Sequence, residues 1–188
     1  AGLWAPPGRY IVRVTASSQT LTQPLVIRKD PRIKATDADL ARQFDFARQI
    51  QAERVRVAAA RAQADSIRKQ LSALKGKPAG NAASEIESFT KKFDAIVGPP
   101  PAFPEEDFFA EPPIDPSTLR RLATAFQQLA RAVESADAAP TPDLVSGFHQ
   151  RLDSLHQTLP RWEEFLRTDL PHLNASFSSA GVPTVQVE

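Results

Sequence analysis

Apolar residues recur in steps of three and four along the last third of the chain: Val145, Phe148, Leu152, Leu155, Leu159, Trp162, Leu166, Leu170, Leu173 and Phe177. That period places all of them on one face of a helix about ten turns long. A stripe so narrow and sustained requires partner helices, which marks a packing scaffold. Thr141-Pro142 supplies the start signal, an N-cap residue with proline at the first helical position. Pro160 lies inside the pattern and removes the bond to the His156 carbonyl, at a cost of about 3 kcal/mol unless the helix accommodates it. The stripe continues on both sides, so the expectation is a kinked helix over 142–179, with Pro171 a second such point.

The same period predicts three earlier helices. Thr36 and Asp39 approximate a capping box, and Leu40, Phe44, Ala47, Ile50, Val57, Ala60, Ala64, Ile67, Leu71 and Leu74 form a stripe over 37–74. Its centre is light in large side chains, so a neighbour can approach closely there. A breaker cluster from Lys75 to Asn81 follows. Ser84 and Glu87 then predict a capped start for a short helix over 85–97 carrying Ile86, Phe89, Phe93, Ile96 and Val97. These two helices are expected to form an antiparallel hairpin, with Glu85, Glu87 and Asp94 able to face the arginine-rich first helix. Asp115-Pro116 opens a third helix over 116–137 through Leu119, Leu122, Phe126, Leu129 and Val133.

Ahead of the helices the period changes to two. Tyr10, Val12 and Val14 alternate with Ile11, Arg13 and Thr15, and after Ser17-Ser18-Gln19 the alternation resumes through Leu21, Gln23, Leu25 and Ile27. This predicts a β-hairpin within 1–30, with Pro24 at an edge or bulge. Two strands alone are marginal in water, so further strands are expected upstream in a longer parent chain. Pro6-Pro7-Gly8 before Tyr10 fits the late strands of immunoglobulin-like sandwiches, where a Tyr hydroxyl bonds back to the upstream corner. The alternative for Tyr10 is an ordinary half-buried strand tyrosine. The fold class expected is mainly α: a hairpin that ends an immunoglobulin-like module, then an antiparallel four-helix bundle with a kinked last helix over 31–188.

Composition narrows the chemistry. With 188 residues, 41% hydrophobic and 24% charged, the chain can bury a real core, and no apolar run is long enough to span a membrane. The absence of Cys excludes disulfides, thiolate metal sites and cysteine nucleophiles. A net charge of +1 conceals an asymmetry: residues 1–77 carry 15 Lys and Arg against 6 Asp and Glu, and residues 78–188 carry 8 against 16. Arg54, Arg61 and Arg68 stand seven apart beside the first helical stripe, where the expectation is that they flank the seam, the alternative being a phosphate site. No aromatic residues interleave the basic stretch, so nucleic acid is not expected as a partner.

Residues 98–115 form a proline-rich connection holding Phe103, Phe108 and Phe109. Either these rings pack the connection onto the bundle or they form an exposed peptide that a partner recognises. With Trp4 they are the candidate interaction residues. Catalytic candidates are weaker. His149 and His156 are seven apart and His172 lies further on, outside the i,i+4 spacing of a helical metal pair. Glu105-Glu106-Asp107 and Glu163-Glu164 are adjacent acids on a connection and on a helix flank, and they lack the setting of a glycosidase pair. No catalytic residue, cofactor or metal is assigned. Asn174-Ala175-Ser176 matches a glycosylation acceptor by pattern alone.

Several short motifs carry a resemblance. They are Gly2-Leu3-Trp4-Ala5-Pro6-Pro7-Gly8-Arg9-Tyr10, Gln23-Pro24-Leu25, Lys29-Asp30-Pro31-Arg32, Asp39-Leu40 with Gln43-Phe44, Ala139-Pro140-Thr141, Asp169-Leu170-Pro171-His172-Leu173-Asn174 and Ala180-Gly181-Val182-Pro183. In order along the chain, they resemble the C-terminal region of large exported bacterial proteins, the sortilin-like, BNR-repeat β-propeller proteins often labelled glycosyl hydrolases. The resemblance implies a periplasmic or extracellular, non-catalytic C-terminal module. Its partners would be upstream propeller and immunoglobulin-like domains of the parent chain, with another protein or self-association further options. The alternative is a carbohydrate-binding or accessory part of a sialidase-like glycoside hydrolase. The chain itself carries no Ser-x-Asp-x-Gly-x-x-Trp blade signature and no blade repeat.

Overall fold

The computed structural model describes residues 3–74, 81–100 and 115–187. Strands β1 (Gly8–Ala16) and β2 (Gln19–Ile27) are followed by helices α1 (Asp37–Ala73), α2 (Asn81–Val97), α3 (Leu119–Val133) and α4 (Pro142–Ser179). The fold is mainly helical, an antiparallel hairpin followed by a four-helix bundle.

Local chemistry sets the helix ends. At α1, Thr36 Oγ1 accepts from Asp39 N–H at 3.1 Å and the Asp39 carboxylate accepts from Thr36 N–H at 2.9 Å, a complete capping box. Hydrogen bonds from the Thr36 hydroxyl and N–H, with Arg42 beside them, hold the Asp39 carboxyl down at about 2. Thr141 Oγ1 accepts from Leu144 N–H at 3.3 Å above Pro142. The helix then runs unbroken through Pro160 and Pro171, whose rings lie on the exposed side. The carbonyls they leave without an N–H belong to His156 and Arg167, both exposed residues, so water can replace the lost bonds.

Two boundaries differ from the sequence expectation. The second helix starts at Asn81 and not at 85, extended through Ala82 and Ala83, the residue type with the highest helix propensity, so that Ser84 lies inside its first turn. The third spans Leu119–Val133 and not 116–137. Asp115 does not cap it directly. Its carboxylate accepts from Ser117 N–H at 2.8 Å and its carbonyl from Thr118 N–H at 3.1 Å, a separate turn that passes the N-cap position to Thr118. At the other end, Gln43 Nε2 of α1 donates to Val133 O at 2.5 Å and Ala136 O at 2.6 Å, which satisfies carbonyls where the helix stops.

Packing is organised along α4. Phe89 and Phe93 of α2 lie against Phe165 and Trp162, with ring centroids 4.6 and 5.9 Å apart. Beyond them Thr158 Oγ1 donates toward Ser117 O at 2.8 Å, and Phe126 of α3 meets Phe148 at 6.1 Å. The contacts therefore run along α4 in reverse order, first through α2 and then α3, which lie end to end and antiparallel to it. Gly98, at φ 95°, closes the junction: a Cβ there would sit 3.3 Å from Arg120 Cβ and from Thr118 Oγ1. The third long rod is α1, parallel to α4, with Phe46 against Phe148 at 5.3 Å and Gln63 Oε1 accepting from Trp162 Nε1 at 3.1 Å. Its principal partner is α3 and that of α2 is α4, while Arg68 links α1 to α2 through the Asp94 carboxylate at 2.8 Å and the Phe93 ring at 5.0 Å.

One core joins all four helices and the C-terminal tail, whose Val185 is buried. Two side-chain amides hold that tail. Asn174 donates to Val185 O and accepts its N–H, each at 2.8 Å, and Gln70 does the same for Gln186 at 2.7 and 2.9 Å. The Asn174 amide is thus engaged by the tail backbone within α4, which is no setting for a glycan.

Trp162 fills the centre of this arrangement and is 1% exposed. Its replacement by Ala is expected to cost about 3–5 kcal/mol, read from urea denaturation. An unchanged midpoint would contradict its central place.

Candidate functional site

Among the described residues, most of the exposed large apolar side chains lie on the hairpin. β1 and β2 pair from Gly8 with Ile27 to Ala16 with Gln19 across the turn Ser17-Ser18. Ser17 takes φ 55°, the positive value that primed hairpin turns require at their first central position. Opposed residues share a face, so one side presents Tyr10 with Leu25, Val12 with Gln23 and Val14 with Leu21. The other presents Arg9 with Val26, Ile11 with Pro24, Arg13 with Thr22 and Thr15 with Thr20.

The first face has the composition of a core and the exposure of a surface. Leu21, Val14, Leu25 and Val12 are 74, 58, 45 and 42% exposed. Every residue from 11 to 26 is exposed, and only Gly8, Tyr10 and Ile27, at the bundle end, are half-buried. Covering such side chains is worth about 1.5–3 kcal/mol each. The bundle does not supply that cover.

Tyr10 is half-buried on β1 and also makes the backward bond that the sequence pattern suggested. Its Oη donates to Pro6 O at 2.6 Å, and its ring lies over Gly8, where a Cβ would be 3.4 Å from Tyr10 Cε2. The bond back to the preceding corner is formed, in the geometry of a tyrosine corner.

Below the hairpin, short-range bonds fix the exit toward α1. Arg32 N–H donates to Asp30 Oδ1 at 2.9 Å and its guanidinium meets Oδ2 at 2.6 Å, which holds the Asp30 carboxyl below its ordinary range. Lys29 Nζ donates to Ala35 O at 2.7 Å. Between this exit and the bundle lies a cleft of about 360 Å³ lined by Trp4, Pro7, Ile33, Phe44, Val133 and Asp137 among others. Trp4 stands at its side with 79% of its surface exposed. The other candidate interaction residues, Phe103, Phe108 and Phe109, lie outside the described residues, as do Glu105, Glu106 and Asp107.

The remaining candidates are dispersed. Arg68 is engaged inside the bundle by Asp94, by Gly98 O at 2.8 Å and by the Phe93 ring, 5.0 Å from its guanidinium carbon. Burial raises the Asp94 carboxyl above its usual value even though Arg68 acts in the opposite sense. Glu164 pairs with Arg167 on the exposed flank of α4, and His172 Nε2 lies 3.6 Å from Glu85 Oε2. His149 and His156 are exposed and separate, and among the described residues no group of three or more His, Asp or Glu is placed to hold a metal ion. Also among the described residues, no helix is long and apolar enough to cross a membrane.

The cleft and the amide clamps on the tail had no signature in the sequence, because both arise from residues distant in the chain. Comparison with protein families, curated proteins and solved structures gives no match.

Tyr10→Phe removes the corner bond at an expected cost of about 0.5–1.5 kcal/mol, local to the hairpin. Hydrogen exchange of the β1 and β2 amides is expected to accelerate about tenfold at the upper end of that range, with the bundle's melting temperature unchanged. Unchanged hairpin exchange would show that the bond does not stabilise the corner.

Proposed function

We propose that this chain is a non-enzymatic interaction module, a rigid helical bundle carrying the last two strands of an immunoglobulin-like sandwich completed elsewhere. The observation that carries this reading is the uncovered apolar face of the hairpin beside a formed tyrosine corner. Contiguous exposed apolar surface on a soluble domain marks a contact to be made. The resemblance to the C-terminal region of sortilin-like, BNR-repeat proteins supports the same picture. It suggests upstream propeller and immunoglobulin-like domains as partners and a periplasmic or extracellular setting. In that arrangement the bundle is a spacer or cap, and any ligand chemistry of the parent resides in other domains.

The test compares the whole chain with a version beginning at Asp30, by thermal melt and sedimentation equilibrium. The expected result is that both are folded and melt alike, because the bundle owes little to the hairpin. Unfolding of the truncated chain would make the hairpin an integral part of the bundle and overturn the module reading.

A second reading, carbohydrate binding, is favoured by one observation: the exposed ring of Trp4 beside the junction cleft. The chain's two tryptophans make it testable, since Trp162 is buried and only Trp4 can meet a ligand. Under this reading, oligosaccharide titration of a Trp162→Phe variant quenches or blue-shifts its emission. Emission that stays constant to millimolar sugar would remove it.

A further inference from the structure

The two free edges of the hairpin are not equivalent. In an antiparallel pair, residues alternate between those that exchange backbone bonds with the residue opposite and those whose N–H and C=O point away from the partner strand. Pro24 faces Ile11 and has no N–H, so this pair is of the second kind. The turn gives the same phase, since Ala16 and Gln19 close the ladder across two residues. The Thr15 and Thr20 hydroxyls, 3.1 Å apart, fit it as well, because side chains of such pairs approach most closely.

Arg9, Ile11, Arg13 and Thr15 therefore direct N–H and C=O outward from β1, and Thr20, Thr22, Pro24 and Val26 direct theirs outward from β2. No backbone group of the described residues outside the hairpin bonds them. The β2 edge lacks a donor at its middle, where an added strand would lose a central bond. The β1 edge is complete.

Charge then selects what can add. From Gly8 to Ile27 the hairpin contains two arginines, Arg9 and Arg13, and no acid. They share a face four positions apart. A second copy pairing antiparallel about Ile11 would set Arg9 of each chain against Arg13 of the other, a like-charge juxtaposition that disfavours self-pairing in that register. A strand with carboxylates four positions apart meets both arginines. Its opposite face must be apolar to continue Tyr10, Val12 and Val14.

We propose that the outer edge of β1 receives a third strand of the immunoglobulin-like module, one that alternates apolar residues with a polar series bearing two carboxylates four positions apart. This assignment rests on the module reading above, and β2 is then the terminal strand of its sheet.

The probe is the peptide acetyl-Thr-Val-Asp-Val-Thr-Val-Glu-Val-Thr-amide, titrated into the full ¹⁵N-labelled chain. The expected result is saturable amide shifts at Arg9, Ile11, Arg13 and Thr15 that exceed those at Thr20, Thr22 and Val26. Exchanging both acids of the peptide for lysine is expected to weaken binding about tenfold at low salt. The double variant Arg9→Glu/Arg13→Glu keeps the fold and reverses that preference. Ile11→Pro removes one outward donor and abolishes binding while leaving the ladder to β2, as Pro24 does on the other strand. Shifts at the β2 edge, in the junction cleft or in the bundle would overturn the assignment. So would equal affinity for the two peptides, no saturation at millimolar peptide, or dimerisation of the unmodified chain through β1. Failure here alongside an intact bundle in the version beginning at Asp30 removes the edge assignment alone, whereas unfolding of that version removes the module reading beneath it.

Discussion

The bundle depends on burying one apolar stripe of α4. Phe148, Leu155, Leu159, Trp162, Leu170, Leu173 and Phe177 are all covered, with Phe165 of the adjoining row, and each of the other helices contributes to the cover. No single partner helix is long enough on its descending side, so α2 and α3 share that length end to end. The parallel rod α1 closes the third side, and its small residues Ala60 and Ala64 are both buried, so a neighbour can approach closely there. The two prolines of α4 are tolerated for the same reason. They lie opposite the stripe, and packing on both sides of each holds the helix together.

The hairpin obeys a different rule. Its alternation defines an apolar face as clearly as α4 defines its stripe, yet among the described residues no element packs on it. A two-stranded sheet of this kind gains its stability from further strands and from cover on one face. Two local bonds, from Tyr10 to Pro6 and between Asp30 and Arg32, shape its two ends, and its body from residue 11 to 26 is exposed. The proposed interaction role rests on that division between a satisfied core and an exposed sheet.

Much of the fold was legible in the sequence, because helix periods and caps are local. The Thr36–Asp39 box, the Thr141-Pro142 start and the α4 stripe are all read from neighbouring residues, whereas the hairpin turn is one residue shorter than the Ser17-Ser18-Gln19 turn expected, with Gln19 already paired to Ala16. The boundaries of α2 and α3 were less legible. Asp115 is as good a cap by type as Thr118, and only the turn through Ser117 decides between them. Phe165 escaped the narrow stripe because α2 covers a second row of α4, a tertiary choice. Of the candidate site, Tyr10 was readable and its bond is formed. Trp4 was readable as an exposed aromatic residue, but the cleft beside it required the approach of α1 and the end of α3, which no local pattern encodes.

Native-state hydrogen exchange on the intact chain tests the division most directly. The expected result is that core amides of α1, α3 and α4 exchange only through global unfolding, with steep denaturant dependence, while β1 and β2 amides exchange far faster and without it. Hairpin amides protected to the same free energy as α4 would contradict this, because the hairpin and bundle would then form one cooperative unit.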